Sequence, residues 1–163
     1  MFEPPTNAGP IEPDEGTREL NGTANTPHGL EDLKINVKIK LSALWASVMF
    51  CYIYADYFGL YEPGKLQGIL NGEFFSVGPT TQNVLLGASL MLAIPSLMIF
   101  LSVSLPPVFN RWLNIVAGVA YTAIILKTMW GWMFYVFYGV IEISLTSLVV
   151  WYAWRWPKAP ART

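Results

Sequence analysis

Polar and apolar positions separate along this chain into long blocks. Up to Gly29 the residues are mainly Pro, Gly, Thr, Asn and Glu, with no apolar period. After Lys40 come four nearly uncharged apolar runs, Leu41 to Phe58, Gln82 to Ser104, Trp112 to Thr128 and Met133 to Trp154. A bilayer core about 30 Å thick needs roughly 20 helical residues to cross it, so each run predicts a spanning helix. The expected fold is all-α, a four-transmembrane-helix bundle with a disordered N-terminal tail. The tail covers residues 1–30, the membrane domain 31–158, and a short C-terminal tail 159–163.

The connections are uneven. Gly59 to Thr81 is the one sizeable loop, and its glycines at 64, 68 and 72 fit a short interfacial helix, a lid or an ordered loop on the bundle mouth. Met129 to Trp132 joins the third and fourth spans almost directly, which demands an antiparallel helical hairpin.

Composition agrees with burial in lipid. Of 163 residues, 53% are hydrophobic and 13% charged, about half the charge of a typical soluble domain. Seven of the eleven acids (Glu3, Glu12, Asp14, Glu15, Glu19, Glu31, Asp32) precede the first span. That balance excludes a basic nucleic-acid-binding face. The single cysteine, Cys51, excludes an intrachain disulfide, and the single histidine, His28, excludes a haem held by two histidines within the bundle. No cofactor and no metal site are expected.

Basic residues near the span ends predict orientation. Lys34, Lys38, Lys40, Arg111, Arg155, Lys158 and Arg162 fall on one side, and Lys65 and Lys127 on the other. Both termini are therefore expected to be cytoplasmic, with the 59–81 loop facing outward. Trp112, Trp151, Trp154 and Trp156 then mark the inner interface, and Trp130 and Trp132 the outer one.

Within the spans, small residues let helices approach closely in lipid. Ala43, Ser47, Cys51 and Ala55 recur every fourth residue and predict such a contact, either within the chain or at a dimer seam. A second stripe, Trp45, Met49, Tyr52 and Asp56, reads as interior packing ending in a carboxylate. Pro95 interrupts the second span, freeing a carbonyl in the turn around Met91, which Ser96 or a neighbouring helix is expected to satisfy. A kink there makes Pro95 the candidate hinge.

Three ionisable groups lie in or at the edge of the spans. At 1.5 Å rise per residue, Asp56, Lys127 and Glu142 all fall about 20 to 24 Å from the basic end, close enough in height to meet. Asp56 and Lys127 are expected either to pair or to snorkel separately to water. Glu142 shares its helix face with Tyr135, Tyr138, Gly139 and Thr146, and a charge at that depth costs on the order of 3 kcal/mol. It must face the interior and either pair or keep its proton, with Tyr52 and Tyr121 at a height to donate hydrogen bonds. The candidate proton- or ion-handling residues are Glu142, Asp56, Lys127, Tyr52 and Tyr121; a neutral glutamic acid cross-linking two helices has the same signature.

Three stretches, Asn36 to Asp56 (NVKIKLSALWASVMFCYIYAD) continuing into Tyr61 to Glu73 (YEPGKLQGILNGE), Asn110 to Ile115 (NRWLNI) and Val149 to Lys158 (VVWYAWRWPK), carry a resemblance. From Glu31 to Lys158 the chain resembles an uncharacterised family of small bacterial four-helix membrane proteins, a domain of unknown function. The resemblance implies a multi-pass protein of the bacterial cytoplasmic (inner) membrane and supplies no substrate and no catalytic residue.

Function is left between two expectations. The first is a noncatalytic scaffold or accessory subunit, contacting membrane lipid and a membrane protein partner or a second copy of itself. The second is a small proton-coupled transporter using Glu142. An enzyme is not expected, because no metal-ligand cluster, nucleotide loop or nucleophile and base pair is visible.

Overall fold

The computed structural model describes residues 34–74 and 78–157. The proposed tails, and His28, Lys158 and Arg162 with them, lie outside the described residues. Five helices and a two-stranded hairpin make up the rest: α1 (Val37–Gly59), α2 (Lys65–Leu70), β1 (Glu73–Phe74), β2 (Gly78–Pro79), α3 (Gln82–Ser104), α4 (Pro107–Thr128) and α5 (Met133–Trp154). Four of them, α1, α3, α4 and α5, are long and apolar enough to cross a membrane. This is an all-α membrane protein, and the 59–81 loop holds the short helix α2 and the antiparallel β1–β2 hairpin.

The helix starts follow local chemistry. Asn36 caps α1 by accepting from the Lys38 backbone N–H at 3.0 Å, and Thr81 caps α3 by accepting from Val84 N–H at 3.3 Å; each supplies an acceptor for an otherwise orphaned N–H. α4 starts at Pro107, ahead of the apolar run beginning at Trp112. Proline fits the first helical turn because its missing N–H would have had no partner there, so α4 takes in polar residues that hydropathy alone leaves out.

α1 packs against α3 on one side and α5 on the other, and α5 packs against α4. The core at their meeting is Leu41, Trp45, Val48, Met98, Ala117, Tyr121, Val149 and Ala153. The α1 face that enters it is the Trp45 stripe. Ala43 and Ser47 of the small-residue stripe are exposed, and of that set only Ala55 is buried. The expectation of close helix approach along the Ala43–Ala55 stripe within the chain is therefore corrected: α1 meets its neighbours through Leu41, Trp45 and Val48, and bulk fills the seam instead of backbone proximity.

Close approach occurs between α4 and α5. A Cβ on Gly118 would lie 2.7 Å from Val150 Cγ2 and 3.3 Å from the Thr146 carbonyl oxygen. One turn further along, the Thr122 hydroxyl donates to Thr146 Oγ1 at 2.8 Å, and Thr146 donates to the Glu142 carbonyl at 2.9 Å. Gly139 repeats the device near the turn, where its missing Cβ leaves room for Met129, whose Cβ would be 2.7 Å away.

Candidate functional site: an acidic cavity above a sealed layer

The polar groups of the bundle fall into two sets, and the first is structural. In a helix the N–H of residue i+4 normally bonds the carbonyl of residue i, so Pro106 and Pro107 leave the carbonyls of Ser102 and Val103 without their usual donors. Side chains replace them. Asn110 Nδ2 donates to the Ser102 carbonyl, and Lys38 Nζ, reaching over from α1, donates to Val103 O at 3.2 Å and Leu105 O at 2.7 Å. A cation at a helix C-terminus is also favoured by the helix dipole.

Asn114 completes this layer. Its Oδ1 accepts from Trp45 Nε1 at 2.7 Å and from Ser102 Oγ at 3.2 Å, while its Nδ2 donates to Asn110 O at 2.9 Å and Asn110 Oδ1 at 2.6 Å. Both lone pairs and both N–H groups are used, which is what a buried amide in an apolar medium requires. Asn110, Asn114 and Ser102 show no exposed surface. Three helices, α1, α3 and α4, are thereby tied together at the end of the bundle that bears Lys38, Lys40, Arg111 and Arg155. Arg155 covers the Trp151 ring at 4.2 Å from its centre, and Lys40 lies over Tyr152 at 5.3 Å.

One step along the bundle, the proline in α3 is accommodated. Pro95 removes the donor for the Met91 carbonyl, and the Tyr121 hydroxyl of α4 donates to it at 2.6 Å. A neighbouring helix thus satisfies the freed group. Ser96 instead donates to its own turn, at Leu92 O. Tyr121 packs edge-on to Trp45, ring centres 5.8 Å apart, and lies 6.4 Å from the ring of Tyr52. With its hydroxyl committed to Met91, Tyr121 is not the hydrogen-bond donor to Glu142 that its height had suggested.

The second set of polar groups lines a cavity of about 600 Å³ at the opposite end of the bundle, beneath α2 and the α4–α5 turn. Its charged lining is Asp56, Glu62, Glu142 and Lys65, and its aromatic lining is Tyr52, Tyr135, Tyr138, Trp130 and Trp132. Glu62 and Lys65 pair at 3.2 Å, the one salt bridge among the described residues. The second carboxylate oxygen of Glu62 is buried without a hydrogen-bond partner, as is the Tyr52 hydroxyl. Gly59 admits the Tyr135 hydroxyl where a Cβ would collide with it.

Glu142 is the deepest acid. It is 4% exposed, yet its carboxyl group faces the cavity and accepts no hydrogen bond among the described residues. Directly on the other side of it the bundle closes: Trp45, Val48, Met98 and Val149 are at most 1% exposed. Tyr52, Met91 and Glu142 are the lining residues nearest to this closed layer.

Of the residues singled out in the sequence, Glu142, Asp56 and Tyr52 meet in this cavity. Lys127 does not. It is exposed on α4 and absent from the lining, which fits the second of the two alternatives, separate access to water, and not the Asp56–Lys127 ion pair; the cation that shares the cavity with Asp56 is Lys65 of α2. Nothing in the sequence marks Glu62 and Lys65 as site residues, because they lie in the long connection, where charge is ordinary, and only the folding of α2 over the bundle mouth brings them to the site. Asn110 and Asn114 also went unremarked, although their spacing of four and their placement after two prolines are signals for helix-end capping.

The family described as "Family of unknown function (DUF6326)" matches residues 31–162. No curated protein and no solved structure matches the chain.

Proposed function

For a chain that belongs to DUF6326, a family of unknown function, we propose from its own cavity a small proton-coupled carrier that exchanges a cation for a proton at Glu142. The observation that carries this reading is the Glu142 carboxyl group itself, 4% exposed, without a hydrogen bond, and facing the cavity shared with Asp56. A carboxyl group kept only to cross-link helices would be expected to spend its oxygens on a neighbour, as Asn114 does. An ionisable group left facing an open cavity at membrane depth is available for exchange.

The exchange requires little chemistry. The cation enters as Glu142 gives its proton to cavity water, and it leaves when Glu142 is protonated again, so the buried site carries similar charge in both states. Access from the other side requires the Trp45 layer to part, and Pro95 on α3, whose freed carbonyl is held by Tyr121, is the natural place for that helix to bend. The reading is non-enzymatic: it asks of the cavity only a proton exchanged at Glu142 and a cation held beside it. Under the positive-inside rule, the cavity opens outward and both termini are cytoplasmic, in a bacterial inner membrane.

The test is proteoliposome transport. Imposing a pH gradient across vesicles that contain the chain should drive cation uptake with counter-movement of protons, and Glu142→Gln should abolish both. Equal flux in the wild type and the Gln variant would overturn the assignment.

A second reading, the noncatalytic scaffold or accessory subunit, draws support from the sealed Trp45–Asn114 layer, which leaves no passage through the bundle. It predicts a stable co-purifying membrane protein and no solute flux from the chain alone.

A further inference from the structure

The cavity also constrains what kind of cation it holds, an inference that rests on the carrier reading for its direction of use but not for binding itself. Its charge is unbalanced. Three carboxylates, Asp56, Glu62 and Glu142, share the cavity with one ammonium, Lys65, which pairs with Glu62, so negative charge is in excess. An incoming ligand is therefore positive.

Size and geometry argue against a metal ion. Among the described residues no three His, Cys, Asp or Glu side chains converge as a metal group, whereas a dehydrated divalent cation needs several oxygen ligands about 2.0 to 2.6 Å away. A space of about 600 Å³ instead falls within the range of sites for small organic molecules. Its walls are rich in rings, and aromatic faces attract ammonium groups through their quadrupoles.

The protein's own lysine displays this recognition in miniature. Lys65 Nζ is 3.2 Å from a Glu62 oxygen and 5.8 Å from the centre of the Tyr135 ring, an ammonium held by one carboxylate and one aromatic face. In the same cavity, Glu142 with Asp56 supplies two further carboxylates and Tyr52 with Tyr138 two further rings. We propose that this cavity is the binding site for an organic monoammonium ion carrying an apolar or aromatic arm, its nitrogen facing Glu142 and Asp56 and its arm directed toward Trp130 and Trp132.

Calorimetric titration of the full chain in detergent tests this with three probes: benzyltrimethylammonium chloride, the neutral N-benzylacetamide of similar size, and magnesium chloride. Saturable binding of one benzyltrimethylammonium per chain is expected, weakened at least tenfold by Glu142→Gln and by Asp56→Asn, with the amide and magnesium giving no saturable signal. The proposal is overturned if the wild type binds the amide as tightly as the ammonium, or if magnesium displaces the ammonium at equal concentration, and neither outcome depends on a variant folding. Unchanged ammonium affinity in both variants would also overturn it. Binding that meets these expectations without any flux in vesicles would sink the carrier reading and leave the ligand class standing.

Discussion

The Tyr121 hydroxyl, on α4, donates a 2.6 Å hydrogen bond to the Met91 carbonyl, the group on α3 that Pro95 deprives of its helical donor. The defect and its repair lie on different helices. A sliding bend in α3 would break this bond first, so Tyr121 sets how readily Pro95 acts as a hinge.

Replacing Tyr121 by Phe should therefore lower the unfolding free energy by about 1 to 2 kcal/mol, the cost of one buried unsatisfied carbonyl with little change in packing. Pro95→Ala returns an N–H to the Met91 carbonyl, so Tyr121→Phe should cost distinctly less in the Pro95→Ala background. A thermal or denaturant double-mutant cycle in detergent reads the coupling; additive effects would show that the bond does not act as the repair of the Pro95 defect.

Asn114 makes four hydrogen bonds at the sealed layer. Asn114→Leu should destabilise the fold by about 2 to 3 kcal/mol, because the buried indole N–H of Trp45 loses its acceptor and the Oδ1 of Asn110 loses its side-chain donor. Adding Trp45→Phe removes one of those orphans and should recover part of the loss. Unfolding midpoints of the single and double variants check this.

Lys38 bridges the start of α1 to the end of α3 through two carbonyls. It is only partly buried, so Lys38→Met should cost under about 1 kcal/mol, with Lys38→Arg closer to wild type. The sharper readout is local: amide hydrogen exchange should quicken in the last turn of α3 and leave the α4–α5 hairpin unchanged. Uniform acceleration would point to global destabilisation instead.

Gly118 lies where α4 and α5 come closest. Gly118→Ala places a methyl group 2.7 Å from Val150 Cγ2, an overlap that should cost about 1 to 3 kcal/mol. Val150→Ala in the same chain removes the colliding methyls and should restore most of the stability. Melting temperatures of the two single variants and the pair decide it.

Asp56 and Lys127 were natural partners by height, and the fold separates them. Lys127→Gln should change cation binding less than twofold, whereas Asp56→Asn should weaken it at least tenfold. Equal losses from both substitutions would mean that Lys127 acts on the cavity after all.

Hydropathy alone was enough for the four crossings, the α4–α5 hairpin and the inward placement of Glu142. These follow from local constraints: a bilayer sets helix length, a four-residue link sets antiparallel packing, and the cost of charge in lipid sets which way an acid points. Partnerships were a different matter. Ala43 and Ser47 look like a contact seam and face outward, Tyr121 looks like a partner for Glu142 and instead repairs α3, and Lys65 rather than Lys127 joins Asp56. Height along a helix is encoded in residue number, but rotation about the helix axis and the choice of neighbour are not; they depend on how bulky residues such as Trp45 and vacant ones such as Gly118 fit together. The cavity, lined by all four spanning helices and a connector, exists only once that fit is complete.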